Sequence, residues 1–384
     1  LNRVPINPAL LRWARERARL DSSALARRFS GLEAWESGQL QPTLRQLEDF
    51  ARAVRVPIGY LFLPEPPDEQ LPIPDFRTLA GRAVTRPSPN LLDTIYACQE
   101  RQGWYREFAQ VTRQPEVDFV GSTTIHTPPG QVAEAMRVAL GFDVEARREC
   151  PTWTEALRLF IQQADRAGVL VMVSGVVLNN NRRHLDPEEF RGFALADRLA
   201  PLVFVNGADT KAAQMFTLAH ELAHLWLGTS ALSDASVAQF DVGRREEAWC
   251  NQVAAELLAP LSLVQSDLQP GERLDETLSR LARRFKVSTL VILRRLVDAG
   301  YLNRATFDEA FRRELQRLRG IDRGGAGGGD FYRTTVARVG RRFARALVES
   351  TLEGQTLYRD AFRMLGVSRT DTFHQLGRSV GVLP

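Results

Sequence analysis

The sequence predicts an α+β protein: an all-α segment, then a helical region, then a small sheet that runs directly into a pair of helices. Three observations carry that prediction. Helical periodicity dominates as far as residue 167. From Gly168 the pattern changes to short β-rich runs, such as Val169-Leu170-Val171-Met172-Val173 and Leu202-Val203-Phe204-Val205-Asn206. Immediately afterwards, Phe216–Leu227 is an apolar run of helical period that Gly228 closes.

The chain's 384 residues leave room for two or three domains with sizeable cores. At 44% hydrophobic and 25% charged it has the composition of an ordinary globular protein. Three well-separated cysteines, Cys98, Cys150 and Cys250, argue against a disulfide framework and for a reducing compartment. Neither a signal-peptide pattern nor a membrane-length apolar run is found, so the expectation is a cytoplasmic protein with no membrane partner. A net charge of +4 and a pI near 9.2 permit contact with nucleic acid without demanding it.

Taken in order, Pro8–Arg19 reads as a helix with Leu11, Ala14 and Ala18 on one face, and Ser23–Phe29 as a second. An amphipathic helix is expected over Leu44–Val54. With Trp35-Glu36-Ser37-Gly38 and Val56-Pro57 between and after these helices, residues 1–63 resemble an Xre/lambda-repressor-like helix-turn-helix domain. The resemblance implies DNA contact, with Arg27, Arg28 and Arg45 as phosphate-binding candidates. One departure counts against base reading. Phe29 is followed only by Ser30-Gly31-Leu32-Glu33-Ala34 before Trp35, so the recognition turn is shortened where base edges would be met, and the alternative is a degenerate helical domain that serves as a dimerisation or docking surface.

Residues 64–90, rich in proline, read as an extended linker, and 91–167 as a helical region with helices over Leu91–Val111, Gly130–Leu140 and Thr154–Ala167. Strands are expected at 169–173, 176–178, 193–197 and 202–206, with Asp209 capping the helix that follows. Asp275–Phe285 and Leu290–Ala299 form a second helix-turn-helix-like pattern, read as packing. A glycine run, Gly324–Gly329, separates residues 168–320 from a small helical region, 330–384, with helices over Thr334–Leu352, Leu357–Gly366 and Thr370–Leu376.

The chemistry-bearing residues lie in His220-Glu221-Leu222-Ala223-His224. Residues four apart on a helix lie one above the other, so both imidazoles can reach a single zinc ion at about 2.0–2.1 Å. Glu221 points about 100° away. There it can take a proton from a zinc-bound water, whose pKa the metal lowers from about 15.7 towards 7. Such a spacing also arises by chance in helices. Here the apolar flanks make the helix central, and buried histidines need partners.

A catalytic zinc needs a third protein ligand and an open position. The metzincin continuation is missing, since Leu227 and Ser230 stand where its Gly and His would be. The segment Glu246–Pro260 reads as a second helix in which Glu247 shares a stripe with Cys250, Asn251 and Ala254, while Glu246 points aside. Glu247 is the candidate third ligand, the alternative being a solvated helix-start carboxylate favoured by the helix dipole.

The run Phe216–His224, followed by Glu247-x-x-Cys250-Asn251 and Ala254-Ala255-Glu256-Leu257-Leu258-Ala259-Pro260, resembles the ImmA/IrrE family of zinc metallopeptidases. Cys250 and Val253 depart from its usual alanine and phenylalanine. The resemblance implies a zincin-like domain over 168–320, with Zn2+ on His220, His224 and Glu247 and Glu221 as general base. It also implies a protein substrate, a transcriptional repressor or antitoxin-like regulator. The competing expectation is a DNA-binding regulator or toxin–antitoxin component whose zincin domain senses or scaffolds. An extended substrate is expected to pair with a sheet edge, with Phe193–Val205 the candidate segment.

Overall fold

The computed structural model describes residues 3–20, 22–75, 86–233, 245–320 and 330–384. They divide into two compact units, Leu1–Pro72 with Ala83–Ile95 and Ile73–Arg82 with Tyr96–Pro384. The glycine run 324–329 lies outside the described residues.

In the first unit, helices α1 (Pro8–Ala18), α2 (Ser22–Arg28), α3 (Leu32–Glu36) and α4 (Leu44–Val54) are followed by a 3-10 turn at Ile58–Phe62. Leu10, Leu11, Leu25, Trp35, Phe50 and Val54 fill the core between them. Thr43 caps α4 through a reciprocal capping box with Gln46, which accounts for the sharp start read from the sequence. The shortened segment before Trp35 folds as α3, a helix of five residues. Its apolar residues Leu32 and Trp35 are buried, and Glu33 is exposed.

The second unit begins its helices with α5 (Pro89–Val111, from Tyr96 on), α6 (Pro129–Leu140), α7 (Val144–Arg148) and α8 (Trp153–Arg166). A four-stranded sheet follows: β1 (Leu170–Ser174), β2 (Gly192–Leu195), β3 (Leu202–Asn206) and β4 (Ala231–Ser233). The strand order is β1-β3-β2-β4, with β1 parallel to β3 and the other pairs antiparallel. Helix α9 (Lys211–Leu227) runs between β3 and β4 in the chain and packs on β2 and β3. Next come α10 (Arg245–Leu258), α11 (Leu261–Ser266), α12 (Leu274–Phe285), α13 (Thr289–Asp298) and α14 (Arg304–Gly320). Finally α15 (Phe331–Val339), α16 (Arg341–Leu352), α17 (Tyr358–Leu365) and α18 (Thr370–Val380) complete the unit, with α15 and α16 packed on β1.

Four sequence expectations are corrected here. The segment Phe193–Val205 supplies β2 and β3, both interior; the sheet edges are β1 and β4. No strand forms over Val176–Leu178: Val176 makes an isolated bridge to His184, and Leu178 adopts a left-handed backbone (φ 51°) that ends any extended run. Thr210, not Asp209, caps α9, because its Oγ accepts from the Ala213 amide at 3.2 Å. The expected helix Thr334–Leu352 is two helices. Gly340 takes φ 83° between them, with a position for a Cβ only 2.9 Å from the Val171 carbonyl oxygen, so the break belongs to the packing against β1.

The outer side of β4 is met by the chain itself. The Leu232 amide donates to the Pro74 carbonyl at 3.0 Å, in a parallel bridge that pairs Asp75 with Leu232.

Candidate metal centre

Helix α9 is the central element of the second unit, buried at every residue from Gln214 to Trp226. Eight of those thirteen side chains are apolar; of the five polar ones, Gln214 donates to the Gly207 and Asp209 carbonyls, and His220, Glu221 and His224 form the candidate site. Gly192 on β2 allows the close approach of helix and sheet. A Cβ there would stand 2.6 Å from the Thr217 methyl, 2.8 Å from the Phe204 carbonyl and 3.1 Å from Glu221 Oε1. At the far end Gly228 closes the helix in a left-handed turn (φ 73°), and Trp226 stacks on Phe119 with ring centroids 3.9 Å apart.

Helix α10 carries the other half of the site and packs on α6 and α9. Arginines hold its C-terminal end, where carbonyl oxygens lack intrahelical donors. Arg137 donates to the Glu256 carbonyl at 3.0 Å, Arg147 to that of Leu258, and Arg295 to that of Ala259 at 2.9 Å. Arg295 also pairs with the Glu256 carboxylate. Glu256 is thus engaged in structure, and it is Glu247 that faces α9.

His220, His224 and Glu247 converge, and all three are buried. His220 Nε2 lies 3.1 Å from His224 Nε2 and 3.3 Å from Glu247 Oε2, and His224 Nε2 lies 3.1 Å from Glu247 Oε1. Among the described residues this is the one group of three His, Cys, Asp or Glu side chains arranged to hold a metal ion. Two imidazole nitrogens and a carboxylate facing one another are a set of lone pairs with too few protons between them. Nearby, His220 Nδ1, Glu221 Oε1 and Asn251 Oδ1 are buried without hydrogen-bond partners. Donors bound to zinc at about 2.0–2.1 Å in a tetrahedron stand about 3.3–3.4 Å apart, close to the spacing seen. The donor set fits such an ion.

The electrostatics follow from burial and from the carboxylates. Burial pulls His220 down, but the charge and hydrogen bond of Glu247 outweigh it and the net shift is upward. For His224 burial dominates and the shift is downward. Glu247 is pushed up by burial, yet the His220 charge and the hydrogen bonds from both imidazoles hold it well below the usual carboxylate range. Burial lifts Glu221 to about 8 against the pull of His220.

Two residues overlooked in the sequence lie against the centre. Ser233, at the end of β4, places Oγ 3.3 Å from His224 Nε2 and 3.5 Å from Glu221 Oε2. Thr229 places Oγ1 3.1 Å from His224 Nδ1. Neither falls in a ligand spacing, and β4 is only three residues long, so no periodicity marks them. The arginines considered for nucleic acid stand elsewhere: Arg27 and Arg28 are exposed at the end of α2, and Arg45 is exposed in the first turn of α4.

Comparison with protein families assigns two segments. Residues 164–297 match the IrrE N-terminal-like domain, a peptidase family. Residues 339–379 match a domain of unknown function, DUF8813. A comparison with curated proteins gives no match. The first match runs from the end of α8 into α13, and so contains His220, Glu221, His224 and Glu247. Among the described residues no helix is long and apolar enough to cross a membrane.

Proposed function

We propose that this protein is a zinc-dependent endopeptidase that cuts a specific regulatory protein, a repressor or antitoxin-like partner, in the cytoplasm. The observation that carries the reading is the convergence of His220, His224 and Glu247 with Glu221 beside them, inside a segment that matches a peptidase family. His220 and His224 on α9 and Glu247 on α10 would hold the ion. When bound, zinc supplies Lewis acidity towards a scissile carbonyl and an attacking water. With the ion's positive charge beside it favouring the ionised carboxylate, Glu221, whose Oε1 is buried and unpartnered, would take the proton of that water and return it to the leaving amine. Ser233 Oγ steadies the other oxygen of the same carboxyl.

Ser233 also makes β4 the edge strand beside the centre, so a substrate peptide in extended form would pair there. Pairing at Leu232 requires its contact with Pro74 to open. The regulator reading is the weaker. A five-residue α3 with an exposed Glu33 offers few groups for base edges and repels phosphate.

The test uses Glu221→Gln, which keeps the shape and removes the base. Partners captured on the inactive protein are identified and then incubated with wild type and variant. Cleavage by the variant is expected to fall by at least about 10²–10⁴-fold with zinc retained, since general acid–base catalysis contributes on that order. Cleavage that survives in Glu221→Gln removes hydrolysis at this centre as the activity.

A further inference from the structure

We infer that Thr229 is a positioning residue for the metal centre: its hydroxyl holds the His224 ring as the Nδ1–H tautomer and so leaves Nε2 bare for the ion. The inference rests on the reading of His220, His224 and Glu247 as a metal site. It assigns a role to a residue that lies outside the ligand pattern.

The geometry begins in the backbone. Gly228 adopts φ 73° at the end of α9, and the chain then turns back so that the Thr229 amide donates to the His224 carbonyl at 3.0 Å. Packing leaves no room for a side chain at this turn, since a Cβ at Gly228 would stand 2.9 Å from the Gly121 Cα. Pinned to the carbonyl of residue 224, Thr229 reaches the ring of the same residue, with Oγ1 3.1 Å from Nδ1. Oγ1 also lies 3.4 Å from the His224 carbonyl oxygen. A hydroxyl has one proton and two lone pairs. With its proton directed to the carbonyl, a lone pair faces Nδ1 and accepts from Nδ1–H. On the opposite side of the ring, Nε2 faces His220 Nε2 and Glu247 Oε1, both at 3.1 Å, and Ser233 Oγ at 3.3 Å. A metal ligand must present a lone pair there, so the ring's one proton belongs on Nδ1, where Thr229 receives it.

Thr229→Val keeps the shape of the side chain and loses the acceptor, whereas Thr229→Ser keeps the acceptor. Zinc affinity of the full chain is measured for all three proteins by competition with a chromophoric chelator. Loss of an outer-shell partner costs about 10–100-fold in metal affinity, so Thr229→Val is expected to fall by that much and Thr229→Ser to stay within about threefold of wild type. Equal affinity in wild type and Thr229→Val overturns the inference, and so does an equal loss in both variants. Should Thr229→Val fail to fold, ¹⁵N spectra of zinc-loaded wild type decide: the His224 proton is expected on Nδ1, and its presence on Nε2 overturns the inference. Cleavage does not enter this test. A wild type that binds zinc and cuts nothing defeats the peptidase and leaves the affinity ratio to judge Thr229, while a wild type without zinc affinity defeats both.

Discussion

Glu246 and Glu247 stand side by side in the first turn of α10, about 100° apart around its axis. That angle separates their fates. Glu247 is buried against α9 and within 3.3 Å of both imidazoles, while Glu246 is only half-buried. Glu247→Ala is therefore expected to lower zinc affinity beyond the roughly 10–100-fold of an outer-shell loss, and Glu246→Ala to leave it near wild type. Zinc content after dialysis against a weak chelator measures both. Loss in Glu246→Ala with full occupancy in Glu247→Ala would move the third ligand by one residue. This contrast was legible in the sequence because the stripe through Cys250, Asn251 and Ala254 gives Glu247 a direction. Gly192, Thr229 and Ser233 were not legible. A glycine in a strand, a threonine after a helix cap and a serine ending a three-residue strand acquire meaning only from what the fold brings against them.

At the scale of elements, long amphipathic segments are legible in the sequence nearly to the residue. Leu44–Val54 has its limits set by a capping box and a left-handed stop, both local in sequence. The errors came where tertiary packing decides. Gly340 breaks a helical pattern because β1 lies against it, and β4 takes its place at the sheet edge with Ala-Leu-Ser, a run of low β-propensity. The strand order could not be foreseen either, since β2 and β3 have the same apolar pattern as an edge would. Packing also explains how helix α10, which carries Glu247, is held. Arg295 is nearly buried, bonds the Ala259 carbonyl, and pairs with Glu256 and Asp298. Arg295→Ala would leave Glu256 and that carbonyl without their cation. Breaking a mostly buried pair costs about 3–5 kcal/mol, so chemical denaturation is expected to show a loss near the lower end of that range. A change under about 1 kcal/mol would mean that the arginine clamp is dispensable to α10.

At the scale of the whole molecule, the apolar residues form separate cores. One gathers residues between Ile6 and Leu61, and another those between Val132 and Ala310. Every proposed ligand belongs to elements of the second, α9 and α10. Two cores without shared members are expected to unfold in two calorimetric transitions, and a ligand stabilises only the unit that binds it. Zinc at about 1,000 times its dissociation constant would add about 4 kcal/mol to that unit. For a unit of this size the shift is about 6 °C. Chelation should therefore lower one transition by roughly that amount and leave the other in place. The transition that stays should be the one lost when the Ile6–Leu61 core is disrupted, for instance by Phe50→Ala, whose ring is fully buried there. If chelation moved both transitions together, the two cores would be one cooperative structure. If it moved neither, the cluster on α9 and α10 would not be binding the ion in the folded protein.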